Sequence, residues 1–188
     1  MIEKLSLGEG YELIAASLFD VPFVFGLMMN GSELGVFTDT YLMGAGAFKL
    51  FWCIVSAILA MHLFRRGRLL VISKDGLAIG FTKVENLGIV DGCGTKVIEM
   101  LAISIDHRNA RHGTSVLDLF VKAQPPDTRL LVYCTKYARA MQHTLKKLRF
   151  VRNAKARIPL EEYSLITRTQ VLHDVSAARA CGRSKPPD

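Results

Sequence analysis

Cysteine is scarce in this 188-residue chain, and the four present, Cys53, Cys93, Cys134 and Cys181, form no Cys-x-x-Cys pair. That spacing excludes the common zinc and dithiol redox motifs and fits a reduced, cytoplasmic protein. Met1 to Gly10 lack the basic and apolar regions of a secretory leader, so export by that route is not expected. The chain has no internal repeat of useful length. It also lacks an aromatic RNP motif, a helix-turn-helix pattern and a zinc finger, so sequence-specific nucleic-acid recognition is not expected. Acidic residues are the minority, 17 against 24 basic, for a net charge of +7. Such a surplus suits an acidic partner: nucleic acid, an anionic membrane face, or a small molecule carrying several phosphates.

What is abundant is apolar. Half of the residues are hydrophobic (50%) and 22% are charged, the balance of a globular protein rather than a disordered one. The length suffices for one well-filled core. We expect a single domain over residues 1–168, with a helical N-terminal part over about 1–67 and a core sheet over about 68–168. A frayed tail is expected over 169–188, where the apolar pattern fades and Gly182, Pro186 and Pro187 accumulate.

Leu50 to Phe64 carries no formal charge and then meets Arg65, Arg66 and Arg68, like a membrane span with a positive flank. It is short for a span, which asks for about 20 apolar residues, and Lys49 stands directly upstream. Length therefore favours a buried core helix, with membrane contact as the alternative. Tyr11 to Phe19 has helical spacing and meets Pro22, which would stop a helix. Phe23 to Met43 is apolar but interrupted by Asn30-Gly31 and further glycines. Ala45 to Arg65 reads as a long helix capped near Gly67.

From Arg68 the texture becomes strand-like. Leu69 to Ser73 and Leu77 to Glu85 are joined by Lys74-Asp75-Gly76, a tight-hairpin signal. After a loop through Gly92 and Gly94, Thr95 to Ile105 forms a strand on which Val97, Glu99, Leu101 and Ile103 share one face. Gly113 to Ala123 reads as a helix, broken by Pro125-Pro126. Arg129 to Thr135 follows as a strand, Tyr137 to Leu148 as a helix, and two strands from Phe150 close the sheet. Strands alternating with helices argue for an α/β (α+β) domain with at least one parallel crossover.

The segment from Leu101 to Leu117 carries the chemistry. A strand ends in a polar and basic turn, and Gly113 stands at the mouth of a helix, where free backbone amides form an anion site. A diphosphate would fit there, with Arg108 and Arg111 adding charge-assisted hydrogen bonds.

On these residues the sequence resembles the GNAT superfamily of N-acetyltransferases. Their pyrophosphate loop reads Arg or Gln, two residues, Gly, one residue, Gly or Ala. Here Ile103 stands at the preceding hydrophobic position, Arg108 at the Arg/Gln position and Gly113 at the final Gly, with Arg111 in place of the first glycine. Downstream, Leu130 to Cys134 and a helix ending Lys147-Leu148-Arg149-Phe150-Val151 agree in order and spacing with the family's closing Tyr-x-x-x-Gly-Phe-like pattern. Leu145 takes the place of its tyrosine and Arg149 that of its glycine.

The resemblance implies a mixed, mostly antiparallel central sheet flanked by helices, and transfer of an acyl group, normally acetyl, from coenzyme A to an amine without a metal. It implies that main chain around Ile103, Ser104 and Ile105 holds the pantetheine arm. Arg108, Asn109, Ala110, Arg111, His112, Gly113 and Thr114 would hold the pyrophosphate. Glu99 is the candidate proton acceptor and His143 the candidate acid in place of the missing tyrosine. His107 and His112 are expected to be solvated loop histidines rather than ligands, and Cys134 a small buried hydrophobe rather than a nucleophile. The basic stretch from Lys136 to Arg157 reads as a solvated face.

Three function classes stay open: an active acyltransferase, a GNAT fold without catalysis that binds or supports, and a membrane-associated protein anchored through residues 50–64. The acceptor amine is not legible. It would be chosen by Phe23 to Gly46 and Leu87 to Gly94. The apolar N-terminal third is expected to form an acceptor pocket or, in preference, a homo-oligomer interface.

Overall fold

The computed structural model describes residues 4–33, 46–64, 68–90, 92–108, 110–153 and 160–167. The expected cap at Gly67, Asn109, Lys155, Arg157 and the tail from Thr169 lie outside these residues. The chain opens with two strands, β1 (Lys4–Gly8) and β2 (Tyr11–Ala15), followed by one tight turn, Leu18–Asp20, and helix α1 (Val21–Glu33). Helix α2 (Gly46–Phe64) leads into β3 (Arg68–Lys74), β4 (Leu77–Val90) and β5 (Cys93–Ile103). Then come α3 (His112–Lys122), β6 (Thr128–Thr135), α4 (Arg139–Lys147), β7 (Val151–Asn153) and β8 (Leu160–Ile166). All eight strands form one sheet in the order β1-β2-β3-β4-β5-β6-β8-β7. Every described pair is antiparallel except β5 with β6.

The mixed sheet and the helices of the N-terminal third match the expected fold class, and the helix expected over Tyr11 to Phe19 is corrected. Tyr11–Ala15 is a strand because Tyr11 and Leu13 point into the core while Glu12 alternates outward, a period of two. The turn before it, Gly8-Glu9-Gly10, has positive φ throughout, which two glycines make inexpensive. Pro22 does not end a helix but begins one. It sits in the first turn of α1, where a missing N–H breaks no bond, so Phe23 to Glu33 is helical. Ser17 and Asp20 fix the entry, with the Ser17 amide and hydroxyl donating to the Asp20 carboxylate at 2.8 and 2.7 Å. Leu87 to Val90 extends β4 rather than forming loop.

The sheet is buried on both faces. On β3, Leu69 and Val71 meet the α1–α2 layer through Val24, Met28, Leu50, Ile54 and Ile58, while Leu70 and Ile72 meet the α3–α4 layer. That second layer is built on Val116, Leu117, Phe120 and Leu145. Burial on both faces explains why β3 reads as an unbroken apolar run.

Gly80 marks the tightest approach in the sheet. It pairs with Ile103, and a Cβ there would lie 2.2 Å from the Ala102 carbonyl oxygen. Gly26, inside α1, has nothing within 4 Å of its would-be Cβ. In denaturant unfolding, Gly80→Ala should therefore cost about 1–3 kcal/mol by overpacking, while Gly26→Ala should gain up to about 1 kcal/mol in helix propensity.

Candidate coenzyme site

The parallel pairing of β5 with β6 runs from Gly94↔Thr128 to Ile98↔Val132 and stops there. Both strands continue. Beyond Ile98, β5 stays bonded to β4 as far as Ile103, and β6 stays bonded to β8 as far as Thr135. Each strand is thus held on its outer side only, and the sheet forks. Glu99 stands at the root, because Val84 pairs with Ile98 and Lys83 with Met100, leaving Glu99 as an extra residue in a bulge. Past the bulge, the inner edge of β5 offers backbone N–H and C=O groups to the fork rather than to a neighbouring strand.

The bulge also corrects the expected face. One inserted residue reverses the alternation, so Ile98, Leu101 and Ile103 face the α3–α4 layer while Met100 and Ala102 face α1–α2. Glu99 does not share a face with Ile103. It is ion-paired with Lys83, which lies two residues along β4 from Phe81 of the α1–α2 core.

β5 ends at Ile103 rather than Ile105. Ser104 donates its amide to the Ile79 carbonyl at 2.8 Å, and Ile105–His107 winds into a single tight turn with Ile105 exposed. Then α3 begins. Its first helical bond described runs from the Ser115 N–H to the Arg111 C=O at 3.0 Å, and no protein acceptor is described for the amides of His112, Gly113 and Thr114. Arg111 supplies no side-chain cap, and no acidic side chain occupies the first turn. The mouth sits against the end of β5, with the would-be Cβ of Gly113 3.6 Å from Ile103 Cγ1. Ala110, Arg111 and Arg108 are exposed there, Arg108 donating from Nε to the Ile103 carbonyl at 3.4 Å. The structure therefore gathers Ile103, Ser104, Arg108, Ala110, Arg111, His112, Gly113 and Thr114 at one end of the fork.

His112 is not a solvated loop residue. It is half-buried, with Nδ1 2.6 Å from the hydroxyl of the buried Tyr11, and its ring meets that of His107 edge-on at 6.1 Å. Thr114 contacts Thr144 of α4, hydroxyl to hydroxyl, at 3.2 Å. Tyr11, Lys83 and Thr144 escaped sequence reasoning because their partners lie 101, 16 and 30 residues away, and no local pattern reports such pairs. His143, by contrast, lies on the exposed side of α4 with Arg139, Lys146 and Lys147. Among the described residues no group of three His, Cys, Asp or Glu is arranged to hold a metal ion.

No family model and no curated relative matches this sequence. Solved structures do. A RimL ribosomal L7/L12 α-N-protein acetyltransferase in complex with coenzyme A superposes with a TM-score of 0.66 at 14% identity, covering 87% of this chain and 98% of that one. The microcin C7 self-immunity acetyltransferase MccE, in complex with acetyl-CoA and AMP, gives 0.64 at 12%, over 88% and 97%. A probable acetyltransferase of the GNAT family from Chromobacterium violaceum gives 0.64 at 15%, over 89% and 87%. The chain has the GNAT fold.

Against the GNAT pattern, both missing glycines are replaced by arginines that keep a glycine conformation. Arg111 takes φ 60°, ψ 11° as the residue before α3, and Arg149 takes φ 65° after α4. Around Arg149 the Phe150 N–H bonds to the Leu145 C=O at 2.9 Å and the Arg149 N–H to the Lys146 C=O at 3.0 Å, the paired bonds of a Schellman motif. Phe150 and Leu145 share one cluster, which supplies its apolar contact. Leu145, in the tyrosine's place, is fully buried.

Left-handed backbone costs a non-glycine residue about 1–2 kcal/mol, and glycine's extra chain entropy takes back about 0.5–1. Arg149→Gly should thus raise stability by up to about 1 kcal/mol in thermal unfolding. Leu145→Tyr, which restores the family's letter, should lower it by about 1–3 kcal/mol through overpacking.

Burial, with Glu161 adding to it, pushes the Cys134 thiol from 9.0 up to about 12. Its stabilising contribution is therefore whole below pH 9 and is lost as pH rises toward 12. Buried and held toward its neutral form, Cys134 should be spared by iodoacetamide in the native protein at about pH 8, while the exposed Cys53 is labelled.

Proposed function

We propose that this protein is an acyl-CoA-dependent N-acyltransferase that moves acetyl from acetyl-CoA to an amine of a small molecule or protein. The observation that carries this reading is the fork: two parallel strands parting after Ile98↔Val132, with the first amides of α3, which have no acceptor among the described residues, at its open end. The coenzyme A and acetyl-CoA held by the RimL and MccE structures support it.

A pyrophosphate at the α3 mouth would accept hydrogen bonds from the amides of His112, Gly113 and Thr114, with Arg108 and Arg111 adding charge. The pantetheine arm would run up the fork and complete the strand edge of β5. That delivers the thioester beside Glu99. A backbone N–H on the inner edge past the bulge would stabilise the oxyanion as the amine attacks the carbonyl carbon. Glu99 would take the amine's proton, directly or through water, and the C–S bond would break to release the coenzyme as thiolate. The ion pair with Lys83 keeps Glu99 on the α1–α2 side, from which an acceptor would enter.

A second reading is a GNAT fold that binds coenzyme without turnover. It is favoured by the missing acid: Leu145 is buried where the family has its tyrosine, and the expected substitute His143 faces solvent.

Titration calorimetry with acetyl-CoA separates these readings from their failure. Saturable binding is expected, and at 100 times the dissociation constant the ligand should add about 2.7 kcal/mol of stability. Gly113→Trp should abolish both effects. With an amine acceptor, Glu99→Gln should lower kcat by about 10²-fold or more while coenzyme affinity stays unchanged. Coenzyme binding without turnover on any amine would select the second reading, and no binding would end both.

A further inference from the structure

Helix α2 was expected to be a buried core helix, yet only one side of it is covered. Leu50, Ile54 and Ile58 are buried against α1 and Phe81. The other side is equally apolar and open to solvent, with Phe48 67%, Trp52 51% and Leu63 70% exposed, and Phe51 and Leu59 beside them. Phe19, at 95%, stands exposed in the turn before α1. An apolar stripe of this length on a folded domain marks a docking surface.

We propose that α2 docks in the plane of an anionic lipid surface. It cannot span a bilayer from this position, because its inner face is built into the domain core. Lying flat with its outer face in the headgroup and acyl boundary satisfies both sides at once, the domain taking the place of the usual polar face. The aromatic residues suit that depth. Trp52 packs edge-on against Phe48 and Phe51 at 6.2 Å each, giving a rigid wedge with one indole N–H for the headgroup layer.

Charge selects the lipid over a second copy of this chain. Between Asp39 and Asp75 the sequence has no acidic residue, while Lys49 on α2 and Arg65 and Arg66 directly after it in the chain are basic. Two copies meeting through α2 would bring these cations together with no carboxylate from the same stretch to receive them, whichever way the helices ran. An anionic membrane receives them all.

Trp52 is the only tryptophan in the chain and reports its own environment. Its emission should shift to the blue on vesicles of phosphatidylcholine with phosphatidylserine, with co-sedimentation. At about 1 kcal/mol for each of these three cations near the surface, binding should be on the order of 10²-fold weaker without phosphatidylserine. The double substitution Phe48→Ser/Leu63→Ser, at exposed positions, should abolish binding while leaving the melting temperature unchanged. An unshifted emission on both vesicles, equal binding to both, or a shift that survives in the variant overturns the proposal. A dimer in light scattering that the variant dissociates, with Trp52 indifferent to lipid, overturns it in favour of self-association.

Discussion

Two parallel strands can part inside a sheet only if each is gripped from its other side. Here β4 holds β5 to its last residue and β8 holds β6 to its last, so the loss of pairing after Ile98↔Val132 produces an opening rather than a frayed end. The bulge at Glu99 is what turns β5 away, since an extra residue bends and twists the strand that carries it. The rest of the site is arranged around this fork. Tyr11 pins His112 and thereby the first turn of α3 at the open end, and Thr114 ties that turn to α4. Backbone polarity therefore points inward from two directions, from the inner edge of β5 and from the helix mouth, which is the pattern an elongated anion with an amide-bearing arm requires.

The two arginines in glycine positions show which constraint outranks which. A loop that must turn left-handed at one residue normally selects glycine, yet Arg111 and Arg149 adopt the same region, with φ near 60°. The Schellman bonds around Arg149 and the burial of Phe150 over-determine that conformation, so the side chain is carried at a modest cost. At Arg111 the same substitution places a cation beside the helix mouth, where a phosphate would sit. The departure that weakens the family pattern on paper leaves the backbone intact.

Much of the fold was legible because its signals are local. Asp75-Gly76 both take positive φ at the β3–β4 turn, and α2, α3, β6 and α4 lie within a few residues of their expected bounds. The failures have physical causes. Tyr11–Ala15 satisfies helical and strand spacing alike over five residues, and the deciding signal was the Gly8-Glu9-Gly10 turn ahead of it. Strand parity puts Glu99 on the wrong face because parity assumes an unbroken ladder, and a bulge leaves no reliable mark in sequence. The contacts that shape the site, Tyr11 with His112 and Lys83 with Glu99, are tertiary and have no sequence period at all. α2 looked buried because a helix apolar on all sides is usually in a core, whereas this one has a covered face and an uncovered one.

The most direct test of the fork is to follow backbone amides one by one in a ¹⁵N-labelled sample as coenzyme A is added. The resonances of Met100 to Ala102 on β5 and of His112 to Thr114 at the α3 mouth should move together and saturate at one affinity. Shifts confined to the basic exposed face of α4 around Lys146, or no shifts, would mean that the opening in the sheet is not a coenzyme site.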